Sequence, residues 1–451
     1  LLIVESIEIQ PLTKPIRATV VVPGSKSITN RALPLAALAE GETELSGVLF
    51  ADDTWQMMNA LQTLGYSVRM DQKGRRVRIF GLGREIPPGG GRVLSCGNSG
   101  TTIRFLAAML TLGTGEYVLD GVERMRQRPI DQLVEQLKVL GAEIGYEKAD
   151  GYPPIRIKAK GLSGGGCEFS DAKSSQYISA VLMAAPYAAE EVTVSLVGPV
   201  TSEPYVMMTL RMMEQFGVAA EVHDLCGETA ARAIRVPRGM YRRAQIGGVG
   251  SYEIEPDASN ASYFLAAGAV VPGSRVTVAG LGKGSLQGDV KFAEVLGQMG
   301  AVVEWLPEGV TVSAPADGKL RGVDLDMNDI PDMVQTLAVV AMFAEGPTTV
   351  RNVWNLRVKE TDRLAALETE LKKMGAVVET GRDWIHITPP PTHGHHALKG
   401  ASIKTYDDHR MAMAFAVAGL RVSGVRIEEP GCTAKTYPEF FEDLANVTGR
   451  T

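Results

Sequence analysis

Several things are scarce in this chain. Only four cysteines occur in 451 residues, Cys96, Cys167, Cys226 and Cys432, and they are scattered. No pair has metal-ligand spacing, and four isolated thiols make no disulfide framework, so a reducing cytoplasm fits. The longest apolar stretches, such as 337–344 and 412–420, fall far short of a membrane span. The start, Leu1-Leu2-Ile3-Val4-Glu5, lacks the basic residues and small-residue cleavage site of a signal peptide. It also lacks an initiator Met, which fits a trimmed chain or part of a longer one. There is no excess of basic charge: 46 Lys and Arg stand against 52 Asp and Glu, a net charge of −6. That excludes a global field for nucleic acid. Any anionic ligand has to be met by cations gathered locally.

What is present is repetition. An apolar residue followed by Gly closes unit after unit: Leu64-Gly65, Leu140-Gly141, Phe216-Gly217, Met299-Gly300 and Met374-Gly375, with a frayed sixth near Gly449. The spacing is roughly 75 residues, longer than the common solenoid repeats, so each unit is a small subdomain. Each begins with an apolar helix, expected at 27–39, 101–112, 175–188, 259–270, 332–343 and 409–420. Apolar residues run nearly all round these segments, which marks buried helices. Short strands follow, at 43–48, 117–119, 192–196, 275–278, 348–353 and 425–428. Second, amphipathic helices are expected at 54–64, 131–140, 205–216, 290–299, 361–374 and 438–444. One buried and one exposed helix per unit fits a βαβαββ arrangement. Crossings between halves are expected near 23–25 and at the Gly-rich run 245–250. These limits make one domain of residues 25–245 and another of 1–24 plus 246–451, with a double linker suited to hinge closure.

The residues able to do chemistry collect at helix starts. Pro23-Gly24-Ser25-Lys26-Ser27 leads into a helix bearing Arg31. A Gly-Ser turn before a helix offers N–H groups and a positive dipole end to an anion, although P-loop spacing is absent. Gly97-Asn98-Ser99-Gly100-Thr101, with Arg104, repeats the logic, and small residues there let an anion approach the backbone. Arg124-Met125-Arg126-Gln127-Arg128-Pro129 precedes a second helix, and Lys173-Ser174-Ser175-Gln176 and Ser202-Glu203-Pro204-Tyr205 supply hydroxyls and an amide. Later come Ile330-Pro331-Asp332, Asn355, and Lys359-Glu360 with Asp362 and Arg363. The last are Asp407-Asp408-His409-Arg410 and Cys432-Thr433-Ala434-Lys435-Thr436. Capping alone could account for Asp332, and Lys359, Glu360 and Arg363 on one early helical turn could be a surface ion-pair ladder. Taken together, helix ends converging on one cleft would make a site for a multiply charged anion.

At these motifs the chain resembles the 5-enolpyruvylshikimate-3-phosphate (EPSP) synthase family of enolpyruvyl transferases, nearly end to end. The most specific pieces are Pro-Gly-Ser-Lys-Ser at 23–27, Gly97-Asn98-x-Gly100-Thr101, Arg124-Met125-x-x-Arg128-Pro129, Ser174-Ser175-Gln176, Arg357-Val358-Lys359-Glu360-Thr361-Asp362-Arg363, Asp408-His409-Arg410-Met411-Ala412 and Thr433-Ala434-Lys435-Thr436. The resemblance implies an α/β fold: a two-domain inside-out α/β barrel of six βαβαββ units, three per domain. It implies transfer of enolpyruvyl from phosphoenolpyruvate to the 5-hydroxyl of shikimate 3-phosphate, with phosphate released and no metal or other cofactor. It further implies a cytoplasmic monomer, with no nucleic acid or membrane partner and glyphosate as the expected inhibitor. Carried over by motif, Asp332 is the base toward the substrate hydroxyl. Glu360 is the proton donor to the vinyl methylene, and Lys26 and Lys435 share the proton transfers. Phosphoenolpyruvate would meet Lys26, Asn98, Gly100, Thr101, Arg124, Gln176, Arg363, His409, Arg410 and Lys435. Shikimate 3-phosphate would meet Lys26, Ser27, Arg31, Ser174, Ser175, Gln176, Ser202, Tyr205, Asp332, Asn355 and Lys359.

The chain departs from the family pattern at Ser99 and at Thr102-Ile103-Arg104-Phe105, where many relatives carry Ala-Met and then Pro. The wall beside the phosphoenolpyruvate pocket, and with it the response to glyphosate, is open at these positions. His393, His395 and His396 have no place in the pattern; adjacent His can bind metal, but these follow a Pro run in a polar loop. Two alternatives stand beside this reading. The sister transferase acting on UDP-N-acetylglucosamine typically presents a reactive Cys near the position of Arg124–Arg128, where this chain has none. A non-catalytic anion-binding module of the same fold would not need Asp332, Glu360 and Lys26 intact.

Overall fold

A computed structural model of the chain describes residues 5–225, 231–244, 248, 250–390 and 397–450. The fold is mixed α/β, and it divides into two compact units. One is Gly24–Ile254; the other joins the segment before Gly24 to the chain from Glu255 onward.

The first of these units holds α1 (Lys26–Leu38), α2 (Asp52–Leu64), α3 (Gly100–Thr111), α4 (Asp131–Val139), α5 (Ser175–Ala184) and α6 (Glu203–Gln215). The second holds α7 (Ala258–Val270), α8 (Phe292–Gln298), α9 (Val334–Ala341), α10 (Arg363–Lys373), α11 (His409–Gly419) and α12 (Phe440–Val447). The odd-numbered helices are the apolar ones, and they form the cores. Every residue of α3, α7, α9 and α11 is buried. The even-numbered helices bury one stripe, as α2 does with Met57, Met58, Leu61 and Leu64.

Three helices differ from their expected spans. The helix expected to reach residue 188 stops at Ala184 and tightens into a 3₁₀ turn at Ala185–Tyr187, because Pro186 cannot continue the α pattern. The helices expected from 290 and 332 open instead as 3₁₀ turns, Gly288–Lys291 and Pro331–Met333, before α8 and α9 begin. Lys359 and Glu360 do not lie on a helical turn. Asp362 caps α10 by accepting from Ala365 N at 3.1 Å, so the helix starts at Arg363 and the two residues precede it.

Among the described residues the strands build seven sheets: five four-stranded ones on one plan, a three-stranded one that follows it in part, and a short parallel pair of Leu320–Arg321 with Ala344–Glu345. Glu40–Ser46 pairs parallel with Ser251–Glu253 and antiparallel with Arg76–Leu82, which pairs with Ser67–Asp71. The same order recurs around Gly115–Asp120, Val192–Val197, Arg275–Ala279 and Thr348–Arg351. The sixth sheet sets Val425–Glu428 between parallel Ser402–Ile403 and antiparallel Ser6–Ile9. Each sheet is open, and no closed barrel forms among the described residues. In each unit a strand from the end of the segment returns to an earlier or later sheet. Ser251–Glu253 returns to the sheet of Glu40–Ser46, which holds the chain in the first unit as far as Ile254. Most of the Gly-rich run at 245–250 lies outside the described residues, as do Cys226, His393, His395 and His396.

The recurring Gly ends the outer helices. Gly65, Gly141, Gly217, Gly300, Gly375 and Gly449 all have positive φ, from 68° to 113°, the left-handed conformation that releases a chain from a helix. Gly81 is needed for a different reason: a Cβ there would sit 1.9 Å from Ala39 O and 2.2 Å from Ala36 O, where α1 rests on the sheet. Gly65 has room, its Cβ meeting nothing closer than Pro87 Cβ at 3.8 Å. Gly65→Ala is therefore expected to cost only backbone strain, about 1–2 kcal/mol. Gly81→Ala is expected to cost more, because helix and strand must separate. Urea unfolding of the full chain checks the order; equal midpoints for the two variants would reject it.

Candidate functional site

In the unit that starts again at Glu255, a buried guanidinium gathers three carboxylates. Arg363 is the first residue of α10 and its side chain is 2% exposed. Its Nε donates to Asp408 Oδ2 at 2.7 Å, Nη1 to Asp332 Oδ1 at 3.0 Å and Nη2 to Glu360 Oε2 at 2.9 Å. Burial pulls the Arg363 pKa down, but Asp408, Glu360 and Asp332 outweigh it and hold it above the usual arginine value. Asp332 faces two more cations, Lys359 Nζ at 3.4 Å and Arg410 Nη2 at 3.0 Å. Lys435 Nζ lies 3.8 Å from Glu360 Oε1. Burial holds Lys359 below the usual lysine range, against the pull of Asp332.

Local structure explains these placements. Asp408 caps α11, accepting from Arg410 N at 2.9 Å, and this sets Arg410 in the first turn of the helix. Asp332 sits in the 3₁₀ turn before α9 and is not the cap residue of either segment, which are Ile330 and Met333. Instead it is the meeting point of three cations from three segments. His409 is 1% exposed, with Nδ1 3.6 Å from Asp408 Oδ1. Asn355 is 4% exposed, and its Oδ1 has no hydrogen-bond partner among the described residues.

The Gly24–Ile254 unit collects its candidates at the starts of α1, α3, α5 and α6. Ser25 caps α1, and the half-buried Lys26 reaches Asp53 Oδ2 at 3.3 Å. Arg31 is buried. It donates to Ser27 O, Ser179 Oγ, Tyr205 O and Thr209 Oγ1 at 2.7–3.3 Å and lies 5.1 Å over the Phe105 ring. Burial lowers its pKa to about 10. Arg31 thus ties α1, α5 and α6 together, and Phe105 forms the surface under it. Ser99 caps α3, with Gly100 and the buried Thr101 as its first two residues. Arg128 donates to Asn98 O at 3.0 Å and presses so close to Gly100 that a Cβ there would meet its Nη2 at 2.7 Å. Arg104 donates to Gln176 Oε1 at 2.7 Å, and Ser174 caps α5 just before the buried Ser175. Ser202, buried with φ 59°, opens α6 beside Tyr205. Arg124 is half-buried and donates to Gln127 Oε1 at 3.2 Å.

Each unit therefore brings its own candidates together: Asp332, Lys359, Glu360, Arg363, Arg410 and Lys435 in one, and the helix-start residues in the other. Four further residues belong to these clusters without having been assigned a role from sequence: Asp53, Arg104, Arg128 and Asp408. Arg128 and Asp408 stood inside quoted motifs, and Gly100 beside a conspicuous Arg was a readable signal. Nothing in the sequence links Asp53 to Lys26. Among the described residues no group of His, Cys, Asp and Glu is placed to hold a metal, and no helix is long and apolar enough to cross a membrane.

A model of the family described as EPSP synthase (3-phosphoshikimate 1-carboxyvinyltransferase) matches residues 11–444. The 3-phosphoshikimate 1-carboxyvinyltransferase of Aliivibrio fischeri is 46% identical over 444 residues, 98% of this chain and 100% of the relative. That of a Shewanella species is also 46% identical, over 98% of this chain and 99% of its own. The solved EPSP synthase of Acinetobacter baumannii superposes with a TM-score of 0.79 at 28% identity, covering 98% of both chains. With motifs, clusters and relatives in agreement over nearly its whole length, the chain belongs to the EPSP synthase family.

Proposed function

We propose that the chain joins phosphoenolpyruvate to shikimate 3-phosphate. The 5-hydroxyl adds to the carbon that bears the phosphate while the vinyl methylene takes a proton. The tetrahedral intermediate then loses inorganic phosphate, and the methyl group returns a proton to leave the enolpyruvyl ether. The observation that carries the reading is Asp332: a carboxylate at a helix start that meets three cations, Lys359, Arg363 and Arg410.

In this reading Asp332 takes the hydroxyl proton and Glu360 gives one to the methylene, with Lys26 and Lys435 sharing the transfers. Arg363, Arg410 and Lys435, with His409, receive phosphoenolpyruvate, together with Lys26, Asn98, Gly100, Thr101, Arg124 and Gln176. Shikimate 3-phosphate is held by Lys26, Ser27, Arg31, Ser174, Ser175, Gln176, Ser202 and Tyr205, and by Asp332, Asn355 and Lys359. The buried acceptor of Asn355 suits a substrate hydroxyl, since an unpaired buried oxygen costs about 1–3 kcal/mol. Cations fixed in advance offset the repulsion between two anions and orient them, effects worth several kcal/mol. Five four-stranded sheets of one strand order, with a three-stranded sixth that follows it in part, support six βαβαββ units, and we read the enzyme as a cytoplasmic monomer working without a cofactor.

Phosphate release is the assay. Asp332→Ala is expected to lower turnover roughly 10²–10⁴-fold, the range of a lost general base; a loss under tenfold would sink that role. Arg124→Ala is expected to weaken phosphoenolpyruvate far more than shikimate 3-phosphate, measured as separate KM values, and equal weakening would reject the assignment. The same assay with glyphosate reads the effect of Phe105 under Arg31.

A further inference from the structure

The Gly24–Ile254 unit carries a second concave surface, away from the helix starts. It is a groove of about 760 Å³ lined by Glu40, Arg84, Arg238, Met240, Arg242 and Arg243, with the backbone of Gly41 and Gly239. Its size is that of a small-molecule site. It lies beside the C-terminal end of α1, where Tyr187 Oη donates to Leu38 O. Lys26 and Ser27 stand at the other end of that helix, about 20 Å away at 1.5 Å per residue.

Several arginines of the unit pair with carboxylates: Arg78 with Glu44, Arg126 with Asp120, Arg156 with Glu116 and Glu147, Arg235 with Glu191. Among the described residues, Arg84, Arg238, Arg242 and Arg243 make no ion pair, and Glu40 is the one carboxylate on the lining. A helix C-terminus favours nearby cations through its free carbonyls. That does not explain four of them. Arg84 alone donates to a carbonyl, Gly239 O at 3.3 Å, which is not a helix end. The guanidinium groups of the other three make no hydrogen bond among the described residues.

The floor is firmly built. Arg84 lies 5.4 Å over the Tyr187 ring. Tyr187 Oη accepts from Tyr241 N at 3.1 Å, and Tyr241 Oη donates to Met183 O at 2.9 Å. The stem of Arg243 rests on Gly41, where a Cβ would come within 3.3 Å of Cδ, and that of Arg242 rests on Gly217. Arginine forks match phosphate oxygens in pairs. Four of them from two segments, around one small concavity in a net-acidic chain, call for a compact ligand of several negative charges. Met240, 41% exposed, adds an apolar edge for the body that carries them.

We propose that this groove is a binding site for a small phosphorylated anion of diphosphate charge, separate from the substrate clusters. The test is calorimetric titration of the full chain with inorganic diphosphate at ~0.15 M salt, where surface charge is screened. Saturable binding is expected that survives Arg124→Ala and weakens at least tenfold in the double variant Arg238→Gln/Arg242→Gln. Both side chains are exposed, so the double variant is expected to keep the parent melting temperature and the parent turnover in the absence of diphosphate. Absence of saturable binding, or binding that the double variant retains, would overturn the proposal. Displacement of diphosphate by citrate at equal concentration would overturn the preference for phosphate.

Discussion

The arrangement of candidate residues around Asp332 depends on a single buried cation. Arg363 has its five N–H donors shut away from water, and a buried guanidinium is tolerable only if its donors are met. Asp408, Asp332 and Glu360 meet four of the five, each from a different segment: the cap of α11, the 3₁₀ turn before α9, and the stretch leading into α10. Removing any one carboxylate leaves charge uncompensated in a place where water cannot repair it. The geometry of Asp332 and Glu360 is thus enforced by electrostatics rather than by loop shape. Lys359, Arg410 and Lys435 then complete a patch in which cations outnumber carboxylates, suited to a ligand bearing negative charge.

Arg31 has the corresponding part in the other unit, with a different balance. No carboxylate meets it. Its donors go to two hydroxyls and two carbonyls, and its face lies on Phe105. A cation satisfied by neutral groups keeps its positive field, which adds to the dipole ends of α1, α3 and α5. Lys26 at the start of α1 pairs with Asp53 at 3.3 Å. One unit gathers carboxylates among cations; the other presents cations and hydroxyls at its helix starts. The division follows from the polar residues each set of helix starts carries.

Much of this was legible in the sequence because it is local. The buried helices show as apolar residues on all faces, and their starts show as Ser or Asp caps. The ends of the outer helices show as Gly, since positive φ is a property of one residue and its own Cβ. Chain breaks such as Pro186 act locally too, yet the 3₁₀ turns before α8 and α9 leave no mark in the sequence, because a tightened first turn depends on what it packs against. The spacing of Lys359, Glu360 and Arg363 suits a helical turn for a similar reason: spacing alone does not reveal that Asp362 takes the cap.

The sequence by itself determined the repeat, the alternation of buried and exposed helices, and which residue types stand at each helix start, since short-range sterics and hydrogen bonding govern all three. Only the tertiary structure decided that Ser251–Glu253 and the N-terminal strands return to distant sheets, that Asp332 meets three cations, and that four unpaired arginines share one groove. Those outcomes rest on contacts between residues tens to hundreds of positions apart. Charge and shape select such contacts only once the helices and sheets have packed.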